Sequence, residues 1–199
     1  MIVRRFAVPV LAATLLLAAC HKAPPPPPAP TGPSEAELAR MRADSIAKVR
    51  AAAEAAAAAE RAKREEEARQ RRAMAEARAA LEAMVFFDFD KSEIRPDMEP
   101  ILRAKVDVLR ASPQVQLRIE GNADERGSTE YNLALGERRA ESVRQYLVGF
   151  GLPESRFSVV SWGEERPLVQ GHDEAAWAKN RRAEFVITAG ANAINPPGR

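Results

Sequence analysis

From Ser34 to Ala83 the chain carries neither glycine nor proline, and that run constrains its fold more than any other feature. Alanine dominates the segment, interleaved with Glu, Arg and Lys, all strong helix formers. Ser34 reads as an N-cap, followed by Glu35 and Glu37 in the first turn. Asp44/Lys48, Glu60/Arg64, Glu65/Arg69 and Glu67/Arg71 stand four apart in the favourable acid-before-base order. The pattern predicts one helix about 75 Å long at 1.5 Å per residue. Its large apolar residues are few: Leu38, Met41, Ile46, Val49, Met74 and Leu81. Met74, Leu81 and Met84 fit a heptad fragment, but the middle is alanine and charge, with no sustained seam for a coiled coil. We therefore expect a long solitary Ala/Glu/Arg helix over 34–83, with a weak alanine coil or disorder as the alternatives.

A chain that spends its middle on such a helix must build its core after it, in 84–189. Val85, Phe87 and Phe89 alternate with Phe86, Asp88 and Asp90, a first strand with one apolar face. Pro96 opens a helix carrying Ile101, Leu102, Val106 and Leu109, stopped before Pro113. Val115, Leu117 and Ile119 alternate with Gln116, Arg118 and Glu120 in a second strand, and a long helix follows. Gly151-Leu152-Pro153 is a turn, Phe157–Trp162 a third strand and Ala183–Ile187 a fourth, with a short helix near Asp173–Ala178 between them. The order β-α-β-α-β-(α)-β suits an α+β sandwich of one sheet and two main helices. The tail, 190–199, is expected to be disordered.

Residues 1–19 read as a targeting segment. Met1–Arg5 is a basic opening, and Phe6–Ala19 an apolar stretch too short for a comfortable membrane span. The stretch ends in Leu17-Ala18-Ala19-Cys20, which resembles the lipobox of bacterial lipoproteins, where cleavage precedes the cysteine and lipid is attached to it. Cys20 is the chain's one cysteine, so its acylation leaves no thiol for a disulfide or catalysis. Several buried acyl carbons make a durable anchor. His21, where an aspartate would resemble an inner-membrane retention signal, favours the outer membrane. A proline-rich linker then completes 20–33, semi-rigid and extended.

The segment 84–189 holds 15 Lys/Arg against 18 Asp/Glu, far from the basic footprint of a nucleic-acid binder. Asp88, Asp90, Ser92 and Glu99 fall on calcium-loop positions, but Glu93 stands where the sharp turn needs glycine. With His21 and His172 as the two histidines, zinc has no ligand set. No catalytic group, metal or cofactor is expected, and the chain reads as a non-enzyme. Trp162 and Trp177 are expected in the core, Arg181 and Arg182 in structural ion pairs, and His172 in a loop or helix cap.

The richest stretch chemically is Gly121–Val143, a strand exit, polar loop and helix start. The helix is expected to bury Leu133, Gly136, Ala140, Val143, Leu147 and Phe150, three or four apart. Asn132, Leu135 and Arg139 keep that spacing one residue earlier, about 100° round the helix, along the edge of the buried face. Long helical side chains lean toward the N-terminus, so Arg139 reaches back toward the loop carrying Asp124. An aspartate accepts from an ammonium and an arginine forks onto a carboxylate, which suits a ligand with both charges. The plainer reading is a loop cap at Asp124 and a surface ion pair at Arg139.

Three strings, FFDFDKSEIRP at 86–96, GNADERGSTEYNLALGERRA at 121–140 and VSWGEERPLVQGHDEAAWAKNRRAEFV at 160–186, resemble the OmpA-like domain family and, within it, the peptidoglycan-associated lipoproteins. The resemblance runs from about Val85 to Ile187. It implies an OmpA-like sandwich that binds the meso-diaminopimelate of a peptidoglycan stem peptide through Asp124 and Arg139. It also places Asn132, Leu135 and the backbone around Asp90 in the pocket. With lipid on Cys20, it implies a tether between outer membrane and cell wall, facing the periplasm. TolB, a periplasmic propeller protein, becomes a partner, with other Tol proteins, in envelope integrity and constriction during division. The helix at 34–83 departs from the family's shorter linkers. It leaves room for a second reading, an envelope scaffold whose helix docks other proteins.

Overall fold

In a computed structural model the described residues are 32–198, in two units divided after Glu54. The targeting segment, Cys20 and the polyproline run lie outside the described residues. The long helix is present as α1 (Glu35–Glu82). Ser34 starts it as a capping box: its Oγ accepts from the Glu37 amide at 3.3 Å while the Glu37 carboxylate accepts from the Ser34 amide at 2.7 Å. Of the expected helical pairs, Glu60–Arg64 forms at 2.9 Å, whereas Arg69 turns to Glu66.

The last turns of α1 depart from a solitary helix. Ala77 and Leu81 are buried and belong to the main core. Lys105, itself fully buried, donates to the carbonyls of Ala80, Leu81 and Ala83 at 2.9, 2.8 and 2.6 Å. The ammonium lies 3.7 Å from the Phe185 ring centroid. These contacts satisfy orphan carbonyls that a helix end leaves exposed, so the folded domain begins inside α1.

After α1 come β1 (Val85–Phe86), a short 3₁₀ turn at Pro96–Met98, α2 (Glu99–Ala111), β2 (Gln116–Asn122), α3 (Thr129–Gly149), β3 (Phe157–Gly163), α4 (Glu174–Asn180) and β4 (Arg182–Ala189). The sheet order is β1-β4-β2-β3, with β4 antiparallel to β1 and β2, and β2 parallel to β3. This is the expected α+β sandwich. The core joins Leu102, Val106 and Leu109 of α2 to Leu117 and Ile119 of β2, and to Ala140, Val143 and Leu147 of α3.

Several local expectations are corrected. The first strand ends at Phe86; Val85 and Phe87 are buried, but Phe89 is exposed in the turn that follows. Leu133 is half-buried and Phe150 exposed, because α3 ends there. Glu120, on the expected polar face, is buried, accepting from Trp162 Nε1 at 2.8 Å and pairing with Arg118 at 2.7 Å. Both tryptophans are half-buried, each against an arginine rather than in the core. The expected disordered tail instead docks. Ile194 is buried, and the Asn195 amide donates to Ser112 Oγ at 2.8 Å.

α3 lies on β2 and β3 at a distance only glycine permits. A Cβ on Gly121 of β2 would stand 1.8 Å from the Gly136 carbonyl oxygen of α3; one on Gly136 would meet Ser161 Oγ at 2.3 Å. This close approach seats the first turns of α3 against the exit of β2, where the loop residues gather.

Candidate functional site

Arg139 organises the site. It projects from α3 and is fully buried. Its Nε donates to the Lys91 carbonyl at 2.8 Å, Nη1 to the Asn122 carbonyl at 2.8 Å, and Nη2 to the Asp88 carbonyl at 3.1 Å. The turn 88–91 therefore folds around the guanidinium, with Asp90 at φ 55°, a left-handed conformation that aspartate tolerates. The Tyr131 hydroxyl donates to the Asp90 carboxylate across the mouth of the turn. Among the described residues no carboxylate lies within ion-pair distance of Arg139. Burial pulls its guanidinium down to about 10, opposed by the more distant charge of Asp124.

Asp124 sits where β2 gives way to the loop before α3, 3% exposed. Its Oδ1 accepts from the Arg126 amide and Nε, both at 3.1 Å, and its Oδ2 from Arg126 Nη2 at 2.7 Å and Arg181 Nη1 at 3.3 Å. Burial pushes the carboxyl up, but these donors outweigh it and hold it below its ordinary value. Arg181 is fixed in turn by the Phe87 carbonyl at 3.1 Å and by Glu174 at 2.6 Å. Both arginine pairings were expected to be structural, and Arg181 pairs so; Arg182 bonds Glu184 and the Arg166 carbonyl.

One cavity of about 260 Å³ is lined by all five residues read from the sequence, Asp90, Asp124, Asn132, Leu135 and Arg139. Ser128 caps the start of α3, accepting from the Tyr131 amide at 3.2 Å. Asn132 donates to Glu164, whose other oxygen accepts from Thr129 at 3.0 Å. Phe89, Arg126, Gly127 and Tyr131 complete the lining. Sequence reasoning missed these four. Phe89 continues the strand alternation in the sequence, while Arg126 stands in the same ADERG string as Asp124 and was legible there. The arrangement offers a buried cation, a buried anion and an apolar wall, the polarity a zwitterionic amino acid needs. His172 stands in a loop beside Asp173, the N-cap of α4, and pairs with Glu125 at 2.6 Å. Among the described residues no group of side chains could hold a metal ion.

The sequence profile of the OmpA family matches residues 86–181. The peptidoglycan-associated lipoprotein of Haemophilus influenzae is 52% identical over 99 residues, covering 50% of this chain and 65% of that protein. The crystal structure of the peptidoglycan-associated lipoprotein from Burkholderia pseudomallei is 45% identical, with a TM-score of 0.52, covering 53% of this chain and 89% of that one. The chain belongs to the OmpA family. A further relative, the peptidoglycan-associated lipoprotein of Pseudomonas aeruginosa, is 45% identical over 109 residues, covering 54% of this chain and 64% of its own length. The chain thus spans just under two thirds of these two curated relatives. The C-terminal domain of Helicobacter pylori MotB, at 21% identity and a TM-score of 0.50, shares the fold. The family match begins at Phe86 and leaves all of α1 outside it. Among the described residues no helix is long and apolar enough to cross a membrane.

Proposed function

We propose that this OmpA-family domain binds peptidoglycan without altering it, taking the diaminopimelate of a stem peptide into the cavity between Asp124 and Arg139. The observation that carries this is the state of Arg139. It is a fully buried guanidinium, lining a cavity, whose hydrogen-bond partners among the described residues are all backbone carbonyls. A buried cation without a carboxylate is costly, and a ligand carboxylate supplies the missing charge. Three of the five N–H donors of Arg139 are spent on those carbonyls, leaving two for a ligand. Asp124, Asp90 and the wall formed by Leu135 and Phe89 suit the ammonium and the methylene chain of the same amino acid.

On this reading lipid on Cys20 holds the outer membrane, and α1 spans toward a domain that holds the wall from the periplasmic side. Relatives named peptidoglycan-associated lipoproteins support the wall ligand and the anchor. TolB and other Tol proteins as partners in envelope integrity and division follow from the same kinship.

The test is retention on purified peptidoglycan, with free diaminopimelate-containing stem peptide as competitor. Saturating peptide is expected to release the protein. Asp124→Asn, checked for folding by circular dichroism, is expected to weaken retention by the about 2–5 kcal/mol of a lost buried charge contact, or roughly 30-fold to several thousand-fold. Retention indifferent to both the peptide and the substitution would refute the pocket assignment.

A further inference from the structure

The carboxylate of Asp124 is already full. It offers about four lone-pair sites, and the Arg126 amide, Nε and Nη2 together with Arg181 Nη1 occupy them. An arriving ammonium must therefore displace a donor. The two arginines differ in how easily they leave. Arg181 is anchored at every guanidinium nitrogen, to Asp124, the Phe87 carbonyl and Glu174, and its side chain is 6% exposed. Arg126 is 30% exposed, lines the cavity, and its Nη1 forms no hydrogen bond among the described residues. Beyond Asp124, Glu174 stands 3.6 Å from it, and Glu125 acts on it through charge alone.

The guanidinium of Arg126 also has somewhere to turn. It lies 3.9 Å from the Phe89 centroid and 4.1 Å from that of Trp177, two faces that stack on a planar cation. Both rings stay within cation–π distance of the guanidinium whichever acceptor its fork meets along that side.

Resting on the reading that this cavity takes a diamino acid, we propose that Arg126 is a resident occupant of the ammonium subsite and that the ligand binds by exchange. The ligand ammonium takes over the Asp124 oxygens that Arg126 holds in the free protein. The displaced guanidinium, kept between Phe89 and Trp177, turns its donors to a carboxylate on the same ligand. The exchange makes the site selective for the zwitterion. A ligand with the amine alone must break the Arg126–Asp124 pair and leaves the released guanidinium without a new anion. Arg126 is thus a specificity-determining residue, discriminating by the cost imposed on the wrong ligand as much as by contact with the right one.

Two measurements on the full chain test this, using a diaminopimelate-containing stem peptide and its lysine-containing counterpart, which lacks the side-chain carboxylate. In nitrogen-15 spectra the Arg126 Nε–H resonance, assigned by its absence from Arg126→Met, is expected to move on saturation with the diaminopimelate peptide while that of Arg181 stays. By calorimetry, Arg126→Met, which keeps the apolar stem between the rings, is expected to bind the lysine peptide at least about ten-fold more tightly than the unaltered protein does, shrinking the preference for diaminopimelate. A diaminopimelate peptide that binds while Arg126 stays still overturns the exchange and leaves the pocket reading standing. So does a lysine peptide whose affinity for Arg126→Met is unchanged or weaker. If neither peptide binds the unaltered protein, the pocket reading fails and the exchange falls with it.

Discussion

Lys105 sets two forces against each other, and Lys105→Met measures which one wins. Burial pulls its ammonium from 10.5 down to about 7, with Glu82 pulling the other way. Three backbone carbonyls and the Phe185 ring favour the charged form and resist the shift. If burial wins, the folded protein gives up this proton near pH 7 while the unfolded chain keeps it to about pH 10.5. The unfolded state then binds more protons across that window, so stability rises with pH there and is lost as pH falls through 7. Each unit is worth about 1.4 kcal/mol, giving at most about 2 kcal/mol between pH 7 and pH 9 once partial titration at the lower end is included. Urea unfolding of the unaltered protein and Lys105→Met at both pH values isolates the effect, because other titrating groups largely cancel in the difference. Methionine keeps the length of the side chain in the core while removing the charge. The stability difference, unaltered minus Lys105→Met, is expected to grow as pH rises. A flat difference would show that the carbonyl cage holds the proton against desolvation, refuting the reasoning.

Two further outcomes follow from packing. Gly121→Ala is expected to cost about 1–3 kcal/mol or more, since its Cβ would meet backbone rather than a flexible side chain; a loss under about 0.5 kcal/mol in thermal unfolding would mean that α3 shifts freely on the sheet. Removing 191–199 exposes the core around Ile194 and is expected to lower stability by about 1.5–3 kcal/mol, whereas a disordered tail would leave the denaturation midpoint unchanged.

Much of this molecule was legible because its signals are local. The start of α1 at Ser34, the alternation of β2, the stop before Pro113 and the 3.6-residue pattern of α3 each lie within a few residues of one another. The five site residues were named from spacing and family resemblance, and they share one cavity. What failed did so where a neighbour distant in sequence overrode the local pattern. Phe89 continues the strand alternation, yet it leaves the sheet because the turn 88–91 must close on Arg139, 48 residues further on. Glu120 holds a polar position, yet it is buried because Trp162, 42 residues further on, donates to its carboxylate.

The order of helices and strands, the charged α1 segment and the alternation of the sheet were settled by residue type alone, since side-chain periodicity records which face meets water. Only the tertiary structure decided how the buried cations are compensated. Lys105 closes the end of α1, Arg139 gathers the 88–91 turn, and Arg156 binds the carbonyls of Leu109, Ser112 and Val115 where α2 ends. The physical reason is that each of these cations bonds to backbone carbonyls. Every residue carries one, so such a partnership leaves no mark on the identity of the partner.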